Sequence, residues 1–103
     1  MNLTPPELEF LRGQRLGRLA TVSPSGWPHV MPVMYELSEA PLYLEFDADG
    51  IKLRNLSADP RAAIVVDAMN PKRGMSFQGR CSLVGEERAR LIPERRFSWG
   101  LPG

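Results

Sequence analysis

Apolar and polar residues alternate along most of the chain with a period of about two, the pattern of strands that bury one face. From Arg15 to Leu37 the run RLGRLATVSPSGWPHVMPVMYEL reads as a β-hairpin. Leu16, Ala20 and Val22 keep the strand spacing, β-branched Thr21 and Val22 favour extended backbone, and Pro24-Ser25-Gly26 supplies the turn. The second arm carries Trp27, His29, Met31, Val33 and Tyr35 on one face and Pro28, Val30, Pro32 and Met34 on the other. Both faces are largely apolar, so both are expected to meet something other than water. Pro28 and Pro32 have no N–H to give a ladder, which predicts an irregular, bulged or edge strand. One face would then line a barrel interior and the other a ligand or partner chain.

The remaining elements follow in order. Thr4-Pro5-Pro6-Glu7 has the spacing of a capping box, so a short helix opens there, with Leu8, Phe10 and Leu11 facing the core and Gly13 as its stop. Leu42, Leu44 and Phe46 alternate with Tyr43, Glu45 and Asp47 in a half-buried strand. Asp49 or Gly50 starts a second short helix that packs Leu53 and Leu56 and ends at Asp59-Pro60. Ala62 to Val66 is continuously apolar and predicts a fully buried strand, followed by a loop from Asn70 to Gly74. Met75, Phe77, Gly79, Cys81 and Leu83 alternate again, Gly85-Glu86-Glu87 turns the chain, and a last strand runs from Arg88 to Trp99 with Pro93 as a break. Six strands and two short helices of this kind predict one mainly β domain over residues 1–103, closed as an antiparallel barrel.

Composition narrows the function classes. The chain has 103 residues, 43% hydrophobic, enough for one domain with a real core. The net charge of +1 points to neither nucleic acid nor membrane. Its distribution is uneven, since residues 72–96 hold seven Lys or Arg against three Glu. That stretch reads as a solvated basic hairpin or as an anion-handling surface. Cys81 is the single cysteine, so no intrachain disulfide and no thiolate metal cluster is expected. The N-terminal segment lacks a basic leader and an apolar run, so a soluble cytoplasmic protein is expected. No nucleophile–base pair or metal-ligand spacing is visible. If the protein is an enzyme, a cofactor must carry the reaction. His29, the single histidine, reads as a packed strand residue or as a proton donor near a bound ring. Trp27 and Trp99 read as core or interface aromatics, with ring stacking as the other use.

The run GRLATVSPSGWPHVMPV resembles the first hairpin of the flavin-binding split-barrel superfamily, which includes the pyridoxamine 5′-phosphate oxidase-like proteins and the deazaflavin (coenzyme F420)-dependent oxidoreductases. Lys52 to Leu56 with Asp59-Pro60-Arg61, Gly74 to Val84, and Ile92 to Arg95 with Ser98-Trp99-Gly100 fit the same pattern in the same order. The resemblance covers nearly the whole chain and implies a six-stranded antiparallel split β-barrel, a homodimer, and FMN or F420 as cofactor. It implies that backbone from Val30 through Met31 and Pro32 to Val33 lies along the flavin ring. It also implies that Lys52 contacts the cofactor phosphate, with Arg54 and Asn55 in the same neighbourhood. The physics of Lys52 agrees, because a cation in the first turn of a helix is disfavoured unless an anion binds there. The other reading is a solvated lysine balanced by Asp49. Two features depart from the family: Asp47 and Asp49 set carboxylates beside the phosphate position, and only Gly85-Glu86-Glu87 joins the last two strands.

Three functions compete at this point. The first is a flavin- or deazaflavin-binding oxidoreductase moving a hydride to or from a small organic substrate. The second is a non-enzymatic cofactor carrier or sensor. The third is an oligonucleotide-binding barrel using Lys72, Arg73, Arg80, Arg88 and Arg90, for which the strands carry few stacking aromatics. The reading adopted is the first, with no nucleic-acid or membrane partner.

Overall fold

A computed structural model describes residues 1–102. The chain runs α1 (Pro5–Gly13), β1 (Leu16–Val22), β2 (Pro28–Glu39), β3 (Leu42–Asp47), α2 (Gly50–Ala58), β4 (Arg61–Met69), β5 (Lys72–Gly85) and β6 (Arg88–Trp99). The six strands close an antiparallel barrel in the order β1-β2-β3-β6-β5-β4. The capping box of α1 is present, with Glu7 N–H donating to Thr4 Oγ1 and Thr4 N–H donating to Glu7 Oε1 at 2.8 Å. The hairpin turn holds through Gly26, which takes φ of 90° and donates its N–H to the Ser23 carbonyl at 2.8 Å.

Alternation sorts most strands as the pattern predicts, but in β1 Leu19 and Thr21 turn inward while Leu16, Ala20 and Val22 lie on the outer face. Leu19, Val33, Leu44, Phe46, Ile64, Val66, Met75, Phe77 and Leu91 point inward and are buried. Phe10 and Leu11 of α1 and Leu56 of α2 join the same core. Each fully buried side chain of this size contributes about 1.5–3 kcal/mol relative to exposure.

β2 is where the fold departs most from the expected edge strand. It lies between two neighbours, but it shares its length between them. On one side β1 pairs with Pro28 to Met34; on the other, β3 begins pairing only at Tyr35. Tyr35 N–H donates toward β1, to the Arg15 carbonyl at 3.0 Å. The odd residues of β2 therefore face β1 with their backbone polar groups, and Pro28, Val30 and Pro32 face the opposite side. That side has no strand partner, so the two prolines place their missing donors where no ladder needs them. The barrel is split along this half-edge.

Four further expectations are corrected. Only Ile64 and Val66 of the Ala62–Val66 run are fully buried, because Ala63 and Val65 lie on the outer face and Ala62, packed against the core, is only partly buried. The expected loop at Asn70–Gly74 shrinks to the turn at Asn70-Pro71, since Lys72 already pairs with Met69. Pro93 does not break β6; the ladder steps from Gln78–Arg95 to Gly79–Pro93 and absorbs the extra residue as a bulge. Trp27, read as a core or interface aromatic, is 76% exposed, so only the core reading is removed. Trp99 packs its ring over Gly74, where a Cβ would collide with it.

The bulge depends on Gly79, since a Cβ there would strike the Ile92 carbonyl and crowd the backbone of Pro93. Gly79→Ala is expected to destabilise by about 1–3 kcal/mol. Gly13→Ala meets nothing within 4 Å and is expected to be neutral or to stabilise by up to about 1 kcal/mol. Thermal denaturation of both variants checks this, and equal midpoints would remove the bulge from the account.

Candidate functional site

The predicted site residues fall on two elements, β2 and α2, and α2 packs on β1 and β5. Val30 and Pro32 lie on the outer face of β2, Val30 being 59% exposed, while Val33 points inward and is buried. Met31 is on the inner-face register yet exposed, because the barrel is open at that level. Val30 N–H and the Val30 and Pro32 carbonyls face the unpaired half-edge. Exposed Met34, Leu16 and Trp27 extend the apolar surface around them.

α2 begins at Asp49 as N-cap, but the Asp49 side chain makes no capping hydrogen bond. Gly50 turns the chain into the helix with φ of 54°, a conformation that side chains disfavour. The first-turn N–H groups have no intrahelical partner, so this end of the helix favours an anion. Lys52 is only 14% exposed, and its ammonium lies 3.4 Å from Asp49 Oδ1. The burial follows from spacing: Lys52, Asn55 and Leu56 stand three and four residues apart on one helix face, and that face packs on the barrel. Arg54 points to solvent. Asn55 is fully buried, and its Nδ2 donates to Thr21 Oγ1 at 3.0 Å. α2 thus aims Lys52 at the surface and Asn55 into the barrel.

The carboxylates ahead of α2 are partly neutralised by the last strand. Arg88 Nη1 reaches Asp47 Oδ1 at 2.8 Å, and the same guanidinium holds Glu45 at 2.9 Å and Glu36 at 3.0 Å. These partners, Glu45 first, raise Arg88 above the ordinary arginine value. Arg90 and then Arg88 hold the Glu45 carboxyl below its usual range. Asp49 has Lys52 as its cationic neighbour.

A second feature was not legible in the sequence. An outer-face cleft of about 420 Å³ crosses the barrel wall, with Ala20, Val22 and Ala63 in its floor and Arg61, Arg80 and Arg95 at its rim. The register pairs Arg61 with Arg80 across β4 and β5, which no local pattern announces. Arg61 is tied to Asp59 at 2.7 Å and Arg80 to Glu94 at 3.0 Å. Hydrogen bonds from Arg61 hold the Asp59 carboxyl down to about 2. None of the predicted cofactor-binding residues lines this cleft, and of the basic residues considered for nucleic acid only Arg80 does. Among the described residues, no group of three His, Cys, Asp or Glu could hold a metal ion.

A profile of the pyridoxamine 5′-phosphate oxidase family matches residues 3–99. The chain belongs to that family. It is 30% identical to the 5a,11a-dehydrotetracycline/5a,11a-dehydrooxytetracycline reductase of Streptomyces rimosus, in an alignment that covers 100% of this chain and 87% of that protein. Among solved structures it resembles a FAD-binding protein from Mesorhizobium loti at 22% identity and a TM-score of 0.73, covering 88% of this chain and 87% of that one. It also resembles HutZ, the heme storage protein of Vibrio cholerae, at 19% identity and a TM-score of 0.78, covering 98% and 97%. These two likenesses establish the fold. Membership of the oxidase family supports flavin binding and oxidoreductase chemistry at the level of the family. Among the described residues, no helix is long and apolar enough to cross a membrane.

Cys81 is free and buried in the core, and burial pushes its thiol up to about 12. It is therefore expected to stay unmodified by a thiol reagent at mildly alkaline pH and to react once denaturant is added. Prompt reaction of the folded protein would place Cys81 outside the core.

Proposed function

We propose that this chain is a flavin-dependent reductase, moving a hydride between a bound cofactor and a small organic substrate. FMN is the cofactor favoured, with coenzyme F420 as the alternative, and the working form is a cytoplasmic homodimer. The observation that carries the reading is the unpaired half-edge of β2. It offers backbone donors and acceptors beside exposed apolar side chains, which suits a planar heteroaromatic ring with a polar rim. The reductase from Streptomyces rimosus supports the reaction class.

The residues present fit such a group. Backbone from Val30 through Met31 and Pro32 to Val33 would border the ring. The uncapped first turn of α2 and the Lys52 ammonium would hold the phosphate, with Arg54 adding positive charge from solvent. Bound, the cofactor would supply the hydride; the protein supplies position and exclusion of water. The exposed outer face, with Val30, Pro32, Met34 and Leu16, is the surface a second copy would cover.

A charge-assisted hydrogen bond contributes roughly 1.5–3 kcal/mol. Lys52→Ala is accordingly expected to weaken FMN binding by roughly 10- to 150-fold, with riboflavin, which lacks the phosphate, scarcely affected. Asp49→Ser should free the ammonium and cap the helix, and so tighten FMN binding, more at low salt. Fluorescence titration of the three proteins with both ligands reads this out. Equal wild-type affinity for FMN and riboflavin would show that no phosphate site exists here.

Sedimentation at micromolar concentration should show a species of twice the 11.5 kDa chain mass. A monomer at high concentration would remove the dimer from the proposal.

A further inference from the structure

Three side chains beneath α2 carry two polar atoms with no partner. Asn55 and Thr21 are fully buried and bonded to each other. Thr21 faces His29 across the β1–β2 ladder, and such opposed residues hold their Cβ atoms about 4.5–5.5 Å apart. Asn55 Oδ1 and His29 Nδ1 are each buried without a hydrogen-bond partner. Buried polar atoms are nearly always matched, so two orphans flanking one threonine call for a common explanation.

The orphans are complementary. A carboxamide oxygen only accepts, and an imidazole nitrogen donates when it carries the hydrogen. The two ends of His29 also differ. Nδ1 is inside, whereas Nε2 makes no hydrogen bond and yet is not a buried orphan, so it reaches solvent.

We propose that Asn55, braced by Thr21, is a positioning residue for His29. Its Oδ1 accepts from Nδ1–H through one buried water, and this sets the neutral ring in the Nδ1–H tautomer. Nε2 is then a hydrogen-bond acceptor presented at the mouth of the split barrel. The next residue is Val30, where the half-edge assigned to the ring begins. On that cofactor reading, on which this step rests, Nε2 accepts from an N–H or O–H group of the bound ligand. The signal in the sequence was the lone histidine; its partner on α2 lies 26 positions away in the chain.

Because His29 is the only histidine, nitrogen NMR of the imidazole reports a single ring. Above the imidazole titration range the wild type is expected in the Nδ1–H form, the opposite of the form an isolated imidazole favours in water. Asn55→Ala is expected to move it to the Nε2–H form, and Asn55→Asp, which keeps the acceptor, to leave it as Nδ1–H. A wild-type Nε2–H ring, which the opposite orientation of the Asn55 amide would require, overturns the proposal, as does an unchanged tautomer in Asn55→Ala. If Asn55→Ala does not fold, the wild type and Asn55→Asp decide. Adding FMN should shift the Nε2 resonance. FMN that binds by fluorescence without shifting it removes the ligand role of His29. FMN that does not bind at all removes the cofactor reading and that ligand role together, while the tautomer still judges Asn55.

Discussion

The structure depends on the point where β2 changes partners. Below Tyr35 its ladder belongs to β1, and from Tyr35 onward it belongs to β3. Tyr35 is pinned there twice, by its N–H on the Arg15 carbonyl and by its hydroxyl, which donates to the Leu11 carbonyl at 2.6 Å. The second bond ties the end of α1 to the wall, and burial pushes the phenol up to about 12. Since an unfolded tyrosine titrates near 10, the neutral donor contributes fully below that pH, and its contribution fades as pH rises from 10 toward 12. Across the neutral range the junction holds one protonation state. A closed barrel normally leaves no strand edge open. Here the handover closes the barrel and still leaves one half-edge of β2 available for recognition.

That arrangement explains why β2 is apolar on both faces. Its inner residues complete the core, and its outer residues carry Val30 and Met34 into solvent at 59% and 61% exposure. Exposed apolar residues clustered in this way mark a surface made to be covered. The charged residues follow the opposite rule. Arg88 gathers Glu36, Glu45 and Asp47 on the flank of the barrel, and Arg61 and Arg80 each keep a carboxylate at the cleft. Exposed pairs of this kind add little stability individually. Their effect near α2 is electrostatic housekeeping, since Arg88 offsets a carboxylate that would otherwise oppose an anion at the helix end.

Much of this was legible in the sequence because it is local. The capping box of α1, the turn at Gly26 and the inward set Met75, Phe77 and Cys81 are encoded within a few residues. Those elements formed as the pattern implied. Where pairing partners decide the outcome, local pattern was insufficient. Ala62 to Val66 looks fully buried because alanine and valine suit both faces of a strand, and only the barrel wall separates them. Pro93 looks like a break, but Gly79 on the neighbouring strand makes room for a bulge. The prolines of β2 predicted an edge correctly in kind, and the register confined that edge to half the strand. Lys52 was singled out as a candidate from its place in a helix and from the family resemblance, whereas the pairing of Thr21 with Asn55 required two distant segments to meet.

The meeting of those segments also accounts for an oddity of α2. A nine-residue helix packed on a barrel gains most by burying apolar side chains, and Leu56 does so. Asn55 sits beside it with no exposure at all, and an apolar side chain there would spare the cost of burying a carboxamide. One of its polar atoms is satisfied by Thr21 and one is left unmatched. A residue that serves packing alone would be a poor choice for this position, because one of its two polar atoms is left idle. The same helix face carries Lys52, whose stem is buried and whose ammonium emerges at the helix start. α2 therefore joins an inward polar contact with Thr21 of β1 to a cationic end at its first turn, within one rigid turn of each other. That geometry makes the helix the element through which the interior of the barrel and the cationic helix start are held in a fixed relation.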